Sequence, residues 1–193
     1  MKPRSTAVEG MPLPDEIRDL VGRCQRGEQD AVTALVGRYR DQVFGLCYRM
    51  LSHRQDAEDV AQESFVRAIR SLANWDPTRD FQPWLLAIAA NRCRTLMASR
   101  MRRPASLGEV DHLPDQGPDM QRARNLAEEV QLALGQLRDE YREAFLLFHS
   151  QQMSYQEIAE VLTCPVGTVK TWVHRARREL AERLRQRGAV QEA

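Results

Sequence analysis

The chain has 193 residues, of which 42% are hydrophobic, 6% aromatic and 28% charged. This length allows one large domain or two small ones, and the apolar share is sufficient for packed cores. The net charge is +1, but the charged residues are segregated along the chain. Residues 81–108 hold five Arg and no acid, and residues 164–187 hold seven Lys or Arg against two Glu. Residues 109–119, between these two blocks, hold four acids. Two basic blocks around an acidic spacer indicate two nucleic-acid contacts.

Several other classes of protein are disfavoured. Cys24, Cys47, Cys93 and Cys164 are scattered, with no C-x-x-C pair and no His at ligand spacing, so we expect buried free thiols, no metal and no cofactor. The histidines form no nucleophile–base pattern, which argues against an enzyme. No apolar run approaches the length of a membrane span and the first residues lack a signal-peptide core, so we expect a cytoplasmic protein without membrane insertion.

Helical spacing dominates the first hundred residues. After a Pro-containing leader over residues 1–14, predicted to be disordered, apolar residues at three- and four-residue spacing predict helices over residues 15–26, 30–51, 56–72 and 81–101. The third begins with acids and ends with arginines, the order that the helix dipole favours. Its acidic and apolar surface could dock a basic partner helix, but on spacing alone capping and solvation explain the acids better.

The loop over residues 73–80 and the helix after it combine aromatic and basic side chains. Trp75 lies in the loop, and Asn91, Arg92 and Arg94 lie in the middle of the helix. Such a combination is typical of single-strand capture, in which bases stack on rings and guanidinium groups hold the backbone. Core packing is the alternative for the aromatic residues, and we favour it for Trp84.

Residues 104–120 contain three Pro, two Gly and four acids, which predicts a linker and a domain boundary. Helical spacing then resumes over residues 121–137 and 140–150. No strand pattern appears anywhere. The sequence therefore predicts an all-α protein: two small helical domains joined by a flexible acidic linker, the second a four-helix domain ending in a helix-turn-helix.

The predicted helix-turn-helix begins with a capping box, because Glu157 follows Ser154 at the spacing that lets each side chain bond the other's backbone N–H. The first helix is expected to stop before Pro165, since the residue preceding a proline disfavours helical geometry. A second helix then opens near Val166, with an apolar stripe of Val169, Val173, Ala176 and Leu180.

The opposite face of that second helix carries the polar residues Thr168, Thr171, Arg175 and Arg178, with Lys170 and His174 beside them. Short polar groups followed by Arg suit a helix that reads the major groove of DNA. A solvated basic helix is the alternative. We favour DNA binding because the capped first helix, the short turn and the two-faced second helix coincide.

Three segments in this order resemble the extracytoplasmic-function (ECF) sigma factors of bacterial RNA polymerase: DAEDVAQESFVRA, then FQPWLLAIAANRCR, then, after the acidic linker, SYQEIAEVLTCPVGTVKTWVHRARREL. The resemblance spans residues 15–187 and implies a promoter-specificity subunit without catalytic activity, whose partners are core RNA polymerase and promoter DNA. Such proteins are commonly held inactive by an anti-sigma factor, which makes one a candidate partner here. The implied divisions are a leader (1–14), a region 2 domain (15–103), a linker (104–120), a region 4 domain (121–188) and a tail (189–193).

The resemblance also implies site residues. Candidate contacts with core polymerase are Asp56, Asp59, Gln62 and Glu63. Candidates for opening and reading the −10 element are Trp75, Asn91, Arg92 and Arg94. Candidates for reading the −35 element are Thr168, Lys170, Thr171, His174, Arg175 and Arg178.

The sequence departs from the family at two points. Leu137-Arg138 stands where Leu-Pro is usual, so we expect a less sharp bend there, and Trp172 stands where the recognition helix often has Arg, which removes one basic contact. A dimeric helix-turn-helix regulator is the rival interpretation, but it leaves residues 56–103 unexplained. An enzyme using the scattered Cys and His is a weaker rival.

Overall fold

The computed structural model describes residues 14–101 and 118–187. Within them the chain forms eight α-helices, one short 3-10 helix at Leu72–Asn74 and no strand. The α-helices are α1 (Pro14–Gln25), α2 (Gln29–Leu51), α3 (Arg54–Arg70), α4 (Phe81–Met101), α5 (Pro118–Gly135), α6 (Asp139–His149), α7 (Tyr155–Leu162) and α8 (Val166–Gln186). The all-α prediction is confirmed. The predicted tail, the predicted leader apart from Pro14, and the predicted linker apart from residues 118–120 lie outside the described residues; Pro14 begins α1 and residues 118–120 begin α5.

Helices α1 to α4 form a first unit, in which α2 packs against α1, α3 and α4. The α2–α3 turn forms at Ser52, whose left-handed φ of 54° lets its N–H bond the Tyr48 carbonyl at 2.8 Å. His53 then caps α3 by accepting the Asp56 N–H through Nδ1 at 3.3 Å. The helix consequently begins two residues earlier than the acids alone predict.

Helices α5 to α8 form a second unit, in which α8 packs against α5, α6 and α7. Arg138 is the N-cap of α6, with φ −58° and ψ 144°. This φ lies in the range that proline imposes, so Arg138 adopts a proline-like backbone conformation, and the expectation of a less sharp bend stays a prediction. Helix α7 ends through Thr163, a left-handed residue with φ 53°, one residue before the Cys164-Pro165 pair that the sequence indicated.

Burial tests the sequence expectations about the cysteines and the aromatic residues. The prediction of buried free thiols is confirmed for Cys24, Cys47 and Cys93, but Cys164 is only half-buried. Trp84 is also half-buried against the core, whereas Trp75 is buried and packs edge-on against Phe81 with ring centroids 5.4 Å apart. Trp75 of the loop is therefore more deeply buried than Trp84 of α4.

The two units pack against each other, and we call this the closed arrangement. Helix α2 contacts α5 and α6, and α4 contacts α7. Polar bonds cross the boundary: Gln131 Nε2 donates to the Tyr48 carbonyl at 3.2 Å, and Gln82 Nε2 donates to the Gln151 carbonyl at 3.2 Å. Arg79 Nη1 lies 2.8 Å from Glu160 Oε2 in an ion pair between the loop and α7. Both units thus share one continuous buried core.

Candidate nucleic-acid interface

Helix α8 has the two faces that its periodicity predicts. Val169, Val173 and Ala176 are buried, which fixes the rotation of the helix about its axis. The opposite face is solvent-exposed at Lys170, Thr171, His174, Arg175 and Arg178, while Thr168 is half-buried. The apolar stripe thereby holds a polar and cationic face toward solvent.

The capping box orients the helix that precedes α8. Glu157 Oε2 accepts the Ser154 N–H at 2.7 Å, and Ser154 Oγ accepts the Glu157 N–H at 3.3 Å. Both orphan donors of the first turn of α7 are satisfied, so the capping-box prediction is confirmed. Together α7, the turn and α8 form the helix-turn-helix that the sequence predicts.

The exposed face of α8 borders a shallow depression of about 460 Å³. It is lined by Tyr141, Lys170, Thr171, His174, Arg175, Arg178 and Glu179. Five of the six predicted −35 residues therefore lie around one depression, and Thr168 lies outside its lining. Thr171 Oγ1 donates to the Gly167 carbonyl at 2.9 Å, which leaves its lone pairs able to accept a further bond.

Tyr141 is a residue of this surface that sequence reasoning missed, because helical spacing placed it among the core residues of α6. Only 5% of the surface of Tyr141 is exposed, yet its hydroxyl accepts a hydrogen bond from Arg175 Nη1 at 2.8 Å. The bonds from Arg175 and then Arg138 lower the pKa of the Tyr141 hydroxyl below its usual value. A ring in the core with a polar tip at a cationic surface is a common use of tyrosine.

Arg177 is a second residue that the sequence did not single out. Its Nε donates to His149 Nε2 at 2.8 Å, and its guanidinium lies 5.2 Å from the centroid of the Phe148 ring. Burial, followed by the charge of Arg177, lowers the pKa of His149, which favours the neutral imidazole that accepts this bond. Arg177 therefore ties α8 to α6 beside the recognition face.

The predicted −10 residues on α4 are engaged inside the protein. Arg94 Nη2 bonds Asn91 Oδ1 and also donates to the Val161 carbonyl of α7 at 3.3 Å. Arg92 Nη2 bonds Glu63 of α3. Asn91 itself is exposed, but its amide oxygen already accepts a hydrogen bond from Arg94.

Arg94 also faces a buried carboxylate of the second unit. Its Nε lies 3.4 Å from Glu143 Oε1, and the Glu143 side chain is only 4% exposed. Burial raises the pKa of Glu143 to about 7, and the positive charges of Arg94 and then Arg142 oppose that rise. An acid so deeply enclosed between the two units carries a desolvation cost whenever it is ionised.

Trp75, the aromatic −10 candidate, is 8% exposed and packs in the core beside Phe81. Its indole Nε1 is buried and has no hydrogen-bond partner among the described residues. In the closed arrangement its ring offers no face on which a base could stack. The role of Trp75 remains a prediction that requires the loop to rearrange.

The candidate polymerase contacts on α3 fall into two pairs. Asp56 is 21% exposed at its side chain and forms an ion pair with Arg100, and Glu63 is shared between Arg67 and Arg92. Those two arginines lower the pKa of Glu63 below its usual value. By contrast, Asp59 and Gln62 are exposed. Asp56 is therefore engaged with Arg100, whereas Asp59 faces solvent.

Neither a metal site nor a membrane span appears in the described parts of the chain. No group of three His, Cys, Asp or Glu side chains there could hold a metal ion. None of the helices over residues 14–101 and 118–187 is long and apolar enough to cross a membrane.

Comparison with known proteins places these units in one family. Residues 35–103 match the model for Sigma-70 region 2, and residues 127–180 match the model for Sigma-70, region 4. The ECF RNA polymerase sigma factor SigW of Bacillus subtilis is 33% identical over 183 residues, covering 88% of this chain and 97% of SigW. The chain belongs to the ECF sigma factor family.

Other relatives of this ECF sigma factor agree. The RNA polymerase sigma-H factor of Pseudomonas aeruginosa is 36% identical over 186 residues, covering 90% of this chain and 96% of its own length. CnrH, solved in complex with the cytosolic domain of CnrY, superposes with a TM-score of 0.67 at 30% identity, covering 88% of this chain and 97% of that one. The sigma factor RpoE of Bartonella quintana, solved with the anti-sigma factor NepR, has the same fold, with a TM-score of 0.66 at 23% identity over 90% and 98% of the two chains.

Proposed function

We propose that this ECF sigma factor directs core RNA polymerase to specific promoters and initiates transcription there, with no catalytic activity of its own. The observation that carries the proposal is the pairing of two family-matched units, one of which holds a cationic helix face toward solvent. The alternative of a dimeric helix-turn-helix regulator finds no support in the matched first unit. Because the polymerase works in the cytoplasm, we place the protein there.

The proposal assigns the −35 element to α8. The residues involved are Thr168, Lys170, Thr171, His174, Arg175 and Arg178. Five of them surround one exposed depression, so a DNA groove can reach them without any change in the second unit. Arg and Thr at such positions contact base edges and phosphates in the major groove. The proposed domain for this task is residues 121–188.

The proposal assigns opening and reading of the −10 element to the first unit, residues 15–103. The residues involved are Asn91, Arg92, Arg94 and Trp75. In the closed arrangement Arg94 is bonded to α7 and faces Glu143 of α6. Arg94 can therefore meet DNA only after α4 separates from α6 and α7, whereas Arg92 would have to leave Glu63 of α3. Opening of the closed arrangement is therefore a required step of the proposed mechanism.

The partners follow from the same assignment. Core polymerase would dock on α3 through Asp59 and Gln62, which are exposed, with Asp56 and Glu63 contributing once their arginine partners release them. CnrH and RpoE were solved in complex with CnrY and the anti-sigma factor NepR, respectively. An anti-sigma protein is accordingly a proposed partner of this chain as well.

Transcription in vitro tests the proposal. Purified core RNA polymerase is incubated with a genomic DNA library, with and without the full chain, and transcript start sites are mapped. We expect new start sites that share −10 and −35 sequences only when the chain is present. Failure to co-purify with core polymerase, together with a stable dimer that binds duplex DNA alone, would instead establish the regulator.

A further inference from the structure

A cluster of two arginines and one tyrosine joins the beginning of α6 to the recognition helix. Arg175 Nη1 of α8 donates to the Tyr141 hydroxyl at 2.8 Å, and the Arg138 guanidinium lies over the Tyr141 ring, 5.7 Å from its centroid. Arg175 first and then Arg138 lower the pKa of this hydroxyl. One buried phenol thus holds two cations that come from helices separated by more than thirty residues.

Arg138 is the residue that replaces the family's usual proline. Its backbone has the φ of a proline and the bend needs nothing from its side chain, so the guanidinium is available for another task. The side chain is exposed. In the structure, the replacement of the usual proline by Arg138 therefore adds a positive charge near the proposed DNA-facing surface.

The charges around the cluster are mixed but leave the arginines with free donors. Glu140 and Glu179 are the nearby acids that act on Arg138, and Glu179 lies 3.8 Å from Arg183 in an ion pair. Arg175 uses Nη1 on Tyr141 and has no other hydrogen bond among the described residues. A guanidinium has five N–H donors, so most of those on Arg175 remain open toward the depression.

Two guanidinium groups held on one tyrosine, Arg175 on the hydroxyl and Arg138 over the ring, repel each other, and a shared anion would relieve that repulsion. Planar guanidinium forks match phosphate oxygens in geometry. We propose that Arg138 and Arg175 bind a phosphate group of the promoter backbone, with Tyr141 as the positioning residue that holds both arginines. The inference rests on the proposed function of α8 and assigns base reading to Thr171 and Arg178 beyond the phosphate site.

The first test removes the added cation without disturbing the bend. Arg138→Pro suits the observed φ and restores the family's residue, and Arg138→Gln serves as a second variant that keeps a long side chain. Holoenzyme assembled from core polymerase and each full-length variant is titrated onto a promoter duplex at several salt concentrations. We expect weaker binding that is uniform across promoter sequences, and a salt dependence lower by about one unit of slope, because one phosphate contact is lost.

The second test addresses the positioning role. Tyr141→Phe removes only the hydroxyl, and we expect binding to weaken about threefold to tenfold, as for loss of one hydrogen bond to a charged group. In a background that lacks both arginines, Arg138→Gln with Arg175→Ala, the same substitution should cause no further loss, since both groups that it positions are absent. A merely structural role for the hydroxyl would give the same loss in both backgrounds and would overturn the assignment to Tyr141.

Control variants separate this inference from the proposed function. Arg40→Ala removes an exposed charge from α2, far from the cluster in sequence, and should leave affinity and slope unchanged. Wild-type affinity and slope in both Arg138 variants would overturn the phosphate site, as would a loss confined to particular promoter sequences. If Arg178→Ala still weakens binding in that case, α8 remains the reader of the −35 element. If Arg178→Ala is also silent, the assignment of α8 itself fails.

Discussion

The two helices proposed to meet promoter DNA stand in opposite states within the same molecule. On α8 the candidate residues face solvent around an open depression. On α4 the candidates Arg92 and Arg94 are bonded to acids and a carbonyl of other helices. The candidate residues of α8 are accessible to DNA, whereas Arg92 and Arg94 of α4 already contact other helices of the protein.

This contrast indicates an order of events. A duplex can reach α8 in the closed arrangement, whereas strand capture by α4 requires the α4 contacts with α6 and α7 to break. The ion pair between Arg79 and Glu160 joins exposed side chains and should contribute about 0–1 kcal/mol. The buried contact between Arg94 and Glu143 is therefore the more important polar feature of the boundary.

Removing the open surface should have the largest effect. We expect the double variant Arg175→Ala, Arg178→Ala to lose most of its −35 binding, because an arginine in a base contact, as proposed for Arg178, contributes about 1–3 kcal/mol and the phosphate contact proposed for Arg175 is lost as well. The affinity of holoenzyme for promoters that carry or lack a −35 element measures the loss. Both side chains are exposed, so the thermal unfolding midpoint should hardly change. Wild-type selectivity would remove α8 from recognition.

The same contrast between free and engaged groups recurs along α3. Asp59 is exposed and accepts one weak hydrogen bond from Gln55 at 3.3 Å, so Asp59→Lys should leave the fold intact. Opposite a basic partner surface the reversed charge should weaken assembly with core polymerase by about 2 kcal/mol or more. Affinity for core polymerase and the unfolding midpoint are the two measurements.

Asp56→Lys provides the comparison for Asp59→Lys. Asp56 is partly buried against Arg100, so a lysine there would place two cations together and lower stability as well as assembly. If Asp59→Lys assembles with unchanged affinity, the docking role of exposed acids on α3 is excluded. Equal stability losses in both variants would contradict the different environments described here.

The stability of the closed arrangement should depend on pH through the carboxyl group of Glu143. Its pKa is raised from 4.5 to about 7 by burial, so the closed form binds more protons than an open form in which the carboxyl is solvated. The resulting stability is fully present below about pH 4.5 and is lost as pH rises through 7. The shift corresponds to at most about 3 kcal/mol, with Arg94, Arg142, Asp139 and Glu140 as the surrounding charges.

Glu143→Gln should abolish that dependence. We expect the radius of gyration of the wild-type protein in solution scattering to increase between pH 5 and pH 8, and that of the variant to change less. Glu140→Gln is the matched control, since it makes the same substitution at an exposed position of the same helix. Identical pH profiles for all three proteins would mean that Glu143 does not govern opening.

Helix boundaries and the two faces of α8 were accessible from the sequence because they depend on local patterns. Ser154 and Glu157 define a cap by spacing alone, and Val169, Val173 and Ala176 define a buried stripe by periodicity. The family motifs similarly indicated which helices carry candidate sites. These features need no knowledge of how distant segments meet.

What the sequence could not predict depends on packing between units. Asn91 and Arg94 look like a free polar pair in the sequence, yet Arg94 bonds Val161, 67 residues away. Tyr141 looks like a core residue, and only its contact with Arg175 places its hydroxyl at the exposed cationic face of α8. Sequence spacing identifies the type of each residue, whereas its partner is set by tertiary structure.

Asn91 gives the finest test of the engaged surface. It is exposed, and its bond to Arg94 can be lost while Arg94 keeps the Val161 carbonyl and Glu143. We therefore expect Asn91→Ala to leave the closed arrangement and attachment to core polymerase unchanged while slowing promoter opening, with a loss of about 1 kcal/mol, the lower end for one side chain meeting a base. Permanganate reactivity of thymines in the promoter bubble measures opening.

A promoter with a pre-opened bubble separates the two roles open to Asn91. If the side chain assists strand separation, the bubble should partly restore the variant; if it only reads an unpaired base, the bubble should not. Ser99→Ala, two turns further along α4, is the control and should behave as wild type, since among the described residues the Ser99 hydroxyl bonds only the carbonyl of Leu96 in its own helix. Wild-type thymine reactivity in Asn91→Ala would exclude Asn91 from opening, leaving Arg92 and Arg94 as the groups on α4 that must exchange internal partners for DNA.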